Sequence, residues 1–522
     1  MKFDLSRRGF LGGLAGFSII GSGCCSANAR VIAPGQKVRL AAVGMWGKGF
    51  SDWMPMVKSG LAELVALCDV DKGYLNNIAQ NKDFQKLGID LSKVPYYSDY
   101  RKLLDDAGKL GIDALTVSTP DHMHAAVAIR AMKMGIHCYV QKPLVRTLWE
   151  AKYFYKTAKK HGVVTQMGNQ GSGGDGFRRN VEILQSGILG DVTEVHVWTN
   201  RPVWPQGKEV EKYVKSRTTG DVVPTNLNWD VWVGVQKQRP YLGDYPKGTD
   251  VYDPWGLGKH VYHSFTWRGF FDFGCGAFGD MACHTMNLPF RGLELAEVTN
   301  AECTKIVSEN SVAYPLKSVV KMTYAARKSS ARPGVKLPAV TLYWYDGDEK
   351  PSKDLMPQIC AMDQFKGNVP GTGCLVIGTK GILCSCNDYG QEAFIALKGD
   401  KVAKDTNQHE ACKAVAKTLT RCQGAAAGGM DTSAGAASLS ADGHYIEFLT
   451  AIMEKGPTFR ETNSRCYSDV EYSIPIMESI LVGTVAQRLP NKALTWDSAN
   501  QVFGEKDANA FYGFTPRKGF EF

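Results

Sequence analysis

Beyond its first thirty residues the sequence has no apolar run of about 18 residues, so it offers no candidate membrane-spanning helix there. It has no internal repeat at a period of about 20–50 residues, which excludes a solenoid or a propeller. Basic residues are not concentrated: the net charge is +9 over 522 residues, and Lys156, Lys159 and Lys160 are spaced as the solvated face of a helix. A nucleic-acid partner is therefore not expected. None of the 14 cysteines forms a C-x-x-C pair, and Cys384-Ser385-Cys386 is too tight for zinc, so no metal site is expected. Cys68, Cys138 and Cys303 fall in strand-like apolar runs, where a buried thiol acts as a small hydrophobe. Pairing in an oxidising compartment stays open. What is present is the composition of a folded protein, 44% hydrophobic and 22% charged, with length enough for two or three domains.

Ser6-Arg7-Arg8-Gly9-Phe10-Leu11 precedes a short glycine-rich apolar stretch, Gly12 to Gly23, and then Ala27-Asn28-Ala29. Together these read as a twin-arginine export signal over residues 1–29, with the periplasm as destination. Lipid attachment at Cys24 is the alternative, although Gly21-Ser22-Gly23 lacks the usual aliphatic residue. Export by that route carries folded protein, so a cofactor would be acquired first and carried out.

From residue 38 short apolar runs alternate with helical periods. Val38–Val43, Glu63–Cys68, Ala114–Ser118, His137–Val140 and Val163–Met167 read as strands, with helices over His122–Gly135 and from Thr147. That alternation predicts a doubly wound parallel sheet, an α/β Rossmann-type domain over residues 37–168. Its first turn, Gly44-Met45-Trp46-Gly47-Lys48-Gly49, resembles a dinucleotide fingerprint in which Trp46 replaces the second glycine and Gly47 adjoins it. Asp69 ends the second strand, where a carboxylate accepts hydrogen bonds from the adenosine ribose and repels a 2′-phosphate. NAD is thus expected over NADP, with Lys48 leaving NADP open. Asp71 reads as an exposed helix cap.

Ser118-Thr119-Pro120-Asp121-His122-Met123-His124, Tyr139-Val140-Gln141-Lys142-Pro143-Leu144 and Met167-Gly168-Asn169-Gln170 resemble motifs of the Gfo/Idh/MocA oxidoreductases. So do Trp267-Arg268-Gly269-Phe270-Phe271-Asp272-Phe273-Gly274 and Asp280-Met281-Ala282-Cys283-His284. The resemblance implies a C-terminal α+β domain, residues 169–522, built on a large, mainly antiparallel open sheet. It implies Lys142, Asp280 and His284 around a nicotinamide. It also implies cofactor contacts from Gly44, Met45, Trp46, Gly47, Asp69, Thr119, Pro120, His124, Gln141, Lys142 and Asn169; His122, just before a helix, reads as a cap, with packing the alternative. Gln141 stands where these proteins carry glutamate, and that change is expected to favour a neutral Lys142. The chemistry suits hydride transfer: a histidine takes a hydroxyl proton near neutral pH, and a lysine relays it or steadies alkoxide charge. Either Lys142 or His284 can serve as the base. Asp280 and His284, four apart, share one face of a helix.

The second half opens with the strand Val192–Thr199, followed by Leu337–Tyr345, Leu375–Gly378 and Ile382–Cys386. Residues 199–267 form an aromatic-rich excursion, and six of the eleven tryptophans fall from Trp198 to Trp267. Aromatic rings beside polar groups stack on sugar rings, which makes Arg201, Trp204, Tyr262, His263 and Arg268 the candidate substrate contacts. Gln423–Gly443 reads as a surface loop before a helix His444–Lys455, and a second helix runs Pro475–Arg488. The tail aromatics Phe511, Tyr512, Phe514, Phe520 and Phe522 are expected to dock on the chain or on a neighbouring subunit, in a homo-oligomer (dimer or tetramer). The reading is an exported NAD-dependent carbohydrate oxidoreductase that recycles tightly held cofactor. The alternatives are a redox-neutral NAD-dependent glycosidase and a non-catalytic NAD-retaining binding protein.

Overall fold

The computed structural model describes residues 29–251, 259–422, 442–454 and 466–522. Residues 1–28 of the segment expected to be an export signal, and nearly all of Gln423–Gly443, lie outside the described residues. Six parallel strands form the first sheet: β1 Val38–Val43, β2 Ala62–Cys68, β3 Tyr96–Tyr97, β4 Ala114–Val117, β5 His137–Val140 and β6 Thr165–Met167, in the order β3-β2-β1-β4-β5-β6. Both faces are covered, so the central strands are apolar almost throughout rather than alternating. Helix α1, Lys48–Lys58, follows β1, and α2, Asp121–Lys133, follows β4. Helix α3, Leu148–His161, starts at a capping box in which Thr147 and Glu150 each satisfy the other's backbone, and stops at left-handed Gly162.

The second sheet has ten strands, in spatial order Lys404–Asp405, Ala393–Leu397, Gly381–Ser385, Gly373–Gly378, Val192–Trp198, Val340–Asp346, Lys317–Tyr324, Val298–Val307, Leu494–Asp497 and Val502–Phe503. Only Val192–Trp198 and Val340–Asp346 pair in parallel; every other neighbour is antiparallel. The apolar pattern predicts a strand over Leu337–Tyr345. Pro338 has no N–H for the ladder, so Leu337 pairs instead with Arg327, and the strand begins at Val340.

Helix α4, Gly276–Thr285, lies on this sheet with the Phe278 ring stacked at 4.5 Å on Trp344. Helix α5 spans Asp442–Met453 and α6 spans Val470–Arg488. Helix α6 starts five residues before the expected Pro475, because Asp469 caps the backbone of Glu471 and Tyr472 ahead of the proline. A Cβ on Gly483 of α6 would stand 2.2 Å from the Phe278 ring, so glycine is what lets α6 clamp α4 against the sheet. Burying Phe278 contributes about 1.5–3 kcal/mol. One apolar core runs through both halves and fixes α4, the carrier of Asp280 and His284, relative to the nucleotide-binding strands.

The excursion has a separate aromatic core around Trp229, Trp232, Tyr262, Phe270 and Phe273. The tail docks on its own chain: Phe514 and Phe522 meet Trp149, and Phe520 lies under the Arg101 guanidinium at 3.9 Å. All twelve cysteines from Cys68 onward are free thiols, and ten are buried. No helix among the described residues is long and apolar enough to cross a membrane.

Candidate active site

The glycine-rich turn owes its shape to two different demands. Gly44 has φ of 83°, and a Cβ there would stand 2.4 Å from the Ser118 carbonyl oxygen; a Cβ on Gly49 would stand 1.9 Å from the Gly44 oxygen. Those two glycines let α1 start against β4. Gly47 has φ of 62° but open space around its Cβ position, so it is required for its backbone angle and leaves room beside the turn. The turn opens into a cavity of about 680 Å³ at the point where strand order reverses between β1 and β4, the usual ligand crevice of a doubly wound sheet.

Asp69 lies on this cavity past the end of β2, and Lys142 past the end of β5. Three strand spacings, about 14 Å, separate those positions. The Asp69 carboxylate accepts the backbone N–H groups of Met45 at 2.8 Å and Asp71 at 3.0 Å. Burial raises its pKa to about 6, against the pull of the Asp71 and Met45 N–H groups. At neutral pH it is therefore an ionised acceptor.

At the other end, Lys142 Nζ donates to Asp280 Oδ1 at 2.8 Å and to the Asp280 carbonyl at 3.0 Å. Arg268 Nε reaches the same carboxylate oxygen at 3.4 Å, its guanidinium lying 4.3 Å over both Phe265 and Trp267. Burial alone would raise the Asp280 carboxyl, but Lys142 and then Arg268 hold it well below the usual carboxylate range. His284 follows one turn later on α4, its ring 4.8 Å from Tyr389. Burial, then the Lys142 charge, keep its pKa well below the usual histidine value, so the ring is neutral at pH 7. Asp121, at the start of α2 and only 3% exposed, is raised by burial to about 7.

Gly44, Trp46, Gly47, Thr119, Pro120 and Gln141 line the cavity with Asp69 and Lys142. Arg201, Trp204, His263 and Arg268 also line it. Four expected contacts do not. Met45 turns its side chain into the core and spends its N–H on Asp69. His124 is buried with both ring nitrogens against backbone carbonyls, those of Pro143 at 2.8 Å and Thr119 at 2.8 Å; it shapes the loops carrying Lys142 and Pro120 rather than facing a ligand. Asn169 is fully buried, and its neighbour Gln170 lines the cavity instead. Tyr262 sits inside the aromatic core of the excursion against Trp229 and Phe270.

Other positions shift in meaning. His263 stands 3.3 Å from Asp71 and 3.4 Å from the Tyr74 hydroxyl, which puts it beside the Asp69 end rather than beside Lys142. His122 packs against Trp232 and Phe273, the alternative to a cap. Asp71 is not an exposed cap: it accepts from Gly73, Asn226 and His263 at 14% side-chain exposure. Asp388 and Tyr389, missed in the sequence, line the cavity, and Asp388 pairs with Arg201 at 3.6 Å. They lie past the end of an inner strand, with no motif around them to signal it.

The residues fit a dinucleotide. The paired glycines make a cradle that a Cβ would fill, and Asp69 can receive ribose hydroxyls. Thr119 Oγ1, Gln170 Oε1 and His284 Nδ1 are among the buried polar atoms on cavity residues that lack partners among the described residues.

Comparison with known proteins agrees. Residues 38–169 match the family model GFO_IDH_MocA, described as an oxidoreductase family with an NAD-binding Rossmann fold. A scyllo-inositol 2-dehydrogenase (NAD(+)) of Bacillus subtilis is 32% identical over 134 residues, 26% of this chain and 36% of that protein. A glycosyl hydrolase family 109 protein of Akkermansia muciniphila is 28% identical over 159 residues, 30% of this chain and 32% of the relative. The chain thus spans about a third of the length of these curated relatives. Among solved structures, an inositol dehydrogenase homolog of Azotobacter vinelandii, complexed with NADH and myo-inositol, superposes with a TM-score of 0.53 at 14% identity, covering 90% of this chain and 99% of that one. Residues 38–169 thus match the NAD-binding Rossmann domain of the Gfo/Idh/MocA oxidoreductases, and the chain as a whole shares its fold with the solved inositol dehydrogenase homolog.

Proposed function

We propose that this protein is an exported NAD-dependent oxidoreductase that oxidises a secondary hydroxyl of a carbohydrate. The observation that carries this reading is one cavity holding the glycine cradle and Asp69 together with a neutral His284 and the Lys142–Asp280 ion pair. When bound, NAD supplies the hydride acceptor. His284 has an unpartnered Nδ1 and takes the hydroxyl proton. The Lys142 ammonium, held in place by both Asp280 oxygens that it contacts, faces the alkoxide charge that develops on the same substrate atom. Arg268 supports Asp280 from the other side, so the carboxylate stays ionised and cannot take the proton itself. Trp204 and Trp267 give the cavity the apolar wall that a sugar ring face requires.

The glycosyl hydrolase family 109 relatives favour a second reading on the same site, redox-neutral cleavage. Oxidation of a ring hydroxyl acidifies the neighbouring C–H; a base removes that proton, the glycosidic oxygen leaves and is protonated, water adds, and the stored hydride returns. Either reading suits an exported protein, since the compartment supplies no NAD and each cycle must return its hydride.

A panel of sugars and chromogenic glycosides separates the two, with nicotinamide absorbance and released aglycone read together. Sugar-dependent reduction without aglycone supports the oxidoreductase. Aglycone release without net NADH, with deuterium from D₂O entering the product, supports cleavage. In both, bound nicotinamide should reduce transiently and reoxidise without added NAD, its hydride passing to a second sugar supplied as acceptor in the first case and back to the oxidised sugar in the second. Turnover strictly proportional to added NAD, with NADH accumulating, rejects recycling. Export is checked separately: changing Arg7 and Arg8 to lysine should leave precursor in the cytoplasm, and an unchanged periplasmic yield removes the twin-arginine assignment.

A further inference from the structure

Asp52 carries a carboxylate with no solvent exposure, in the middle of α1, where a lone charge could not persist. Four side chains from four separate parts of the chain converge on it. Lys48 Nζ reaches Oδ1 at 2.7 Å, and the Ser118 hydroxyl donates to Oδ2 at 2.7 Å. The Gln141 amide nitrogen lies 3.0 and 2.9 Å from the two oxygens, and the Tyr445 hydroxyl donates to Oδ1 at 2.9 Å. Lys48 Nζ also donates to the Tyr445 oxygen at 3.1 Å. Helix α5 thereby locks onto α1 directly behind the glycine-rich turn.

Lys48 is the first residue of α1, beside Gly47, and lines the cavity. A cation at a helix N-terminus works against the helix dipole, so its placement needs an anion to answer it. Asp52, one turn on, supplies part of that answer from within the protein. Lys48 lines the same cavity as Gly44, Trp46 and Gly47, the turn whose backbone N–H groups suit a phosphate. Gln141 completes the arrangement: a carboxylate at 141 would face Asp52 across about one hydrogen-bond length, whereas the amide donates to it.

We propose that Asp52 is a positioning residue that holds Lys48 as the cation receiving the diphosphate of the dinucleotide, and that positions 52 and 141 together carry a single negative charge. The proposal rests on the dinucleotide reading of the cavity, which adenosine binding tests by itself.

The experiment titrates the purified full chain with NAD, ADP and adenosine, following tryptophan fluorescence and, for adenosine, competition. Asp52→Asn and Lys48→Met should each weaken NAD and ADP by roughly 10- to 100-fold, the worth of one charge-assisted hydrogen bond, and leave adenosine unchanged. Tyr445→Phe keeps the charge pair and removes one donor, so it should give the same pattern at smaller amplitude and stays informative if Asp52→Asn does not fold. Gln141→Glu alone should weaken ADP, and Asp52→Asn with Gln141→Glu should recover most of the loss. Equal losses for adenosine and ADP, or variants that bind ADP like the unchanged protein, overturn the role of Asp52. A double variant no better than Asp52→Asn overturns the shared charge. Unchanged protein that binds neither adenosine nor NAD overturns the nucleotide reading itself, along with the proposal.

Discussion

Lys142→Ala and His284→Ala should each lower turnover on the identified substrate by about 10²- to 10⁴-fold, the usual worth of a positioned acid–base group. Both variants should keep the fold and the dinucleotide. Removing Lys142 leaves Asp280 with its Arg268 contact, so no buried carboxylate is stranded. Removing His284 deletes a ring whose Nδ1 has no partner to abandon. The pH profile distinguishes a chemical role from a packing role. His284 is held neutral by burial and by Lys142, so kcat should not fall as the pH drops through the ordinary histidine range near 6.5. Asp69 does titrate there, with a pKa of about 6. Its ionised form is the better acceptor for ribose hydroxyls, so dinucleotide affinity should weaken as the pH falls through about 6 and be full above it. Acidification should therefore appear in cofactor affinity before it appears in kcat. Steady-state kinetics with a parallel cofactor titration from pH 5 to 8 checks this. Near-native turnover in both alanine variants would place the chemistry elsewhere.

Gly49→Ala should abolish dinucleotide binding to beyond 100-fold and lower the thermal midpoint, whereas Gly47→Ala should be much milder. The two glycines are two residues apart in one turn, but they answer different constraints. At Gly49 the new methyl would lie 1.9 Å from a backbone carbonyl oxygen, which cannot swing aside as a side chain would. The turn must open, costing at least the about 1–3 kcal/mol of ordinary overpacking, and the cradle goes with it. At Gly47 the methyl meets nothing, and the cost is the left-handed backbone angle alone, about 1–2 kcal/mol. Thermal melts and NAD titrations of the two variants test the order. A Gly49→Ala protein as tight and as stable as Gly47→Ala would mean that the turn is not the cofactor cradle.

Gly44, Gly47 and Gly49 look alike in the sequence, yet Gly44 and Gly49 answer close backbone neighbours while Gly47 has open space beside its Cβ position. Spacing reveals that a glycine stands in a turn. It does not reveal whether the glycine is there for its φ or for a neighbour that arrives from another strand, and Ser118 arrives from β4. The same limit explains Tyr262. An aromatic residue among aromatics can face a ligand or a core, and the excursion closes Tyr262 into its core while Trp204, Trp232 and Trp267 line the cavity. Gln141 looked like the loss of a charge because the compensating carboxylate, Asp52, is 89 residues away in a helix whose pattern reads as ordinary.

What the sequence determined by itself was local and periodic. Apolar runs separated by helical periods specified a parallel sheet, because strands buried on both faces need apolar side chains at almost every position. The four-residue spacing of Asp280 and His284 put both on one face of α4, since helical geometry allows nothing else. The strand-end position of Asp69 followed from the length of β2. Tertiary structure alone decided which long-range partners meet. It joined Tyr445 to Asp52 across 393 positions, brought Lys142 to Asp280, and placed Asp388 and Tyr389 on the cavity from an inner strand of the second sheet. The physical reason is that periodicity fixes which way a side chain points relative to its own element, while packing between elements fixes what it points at.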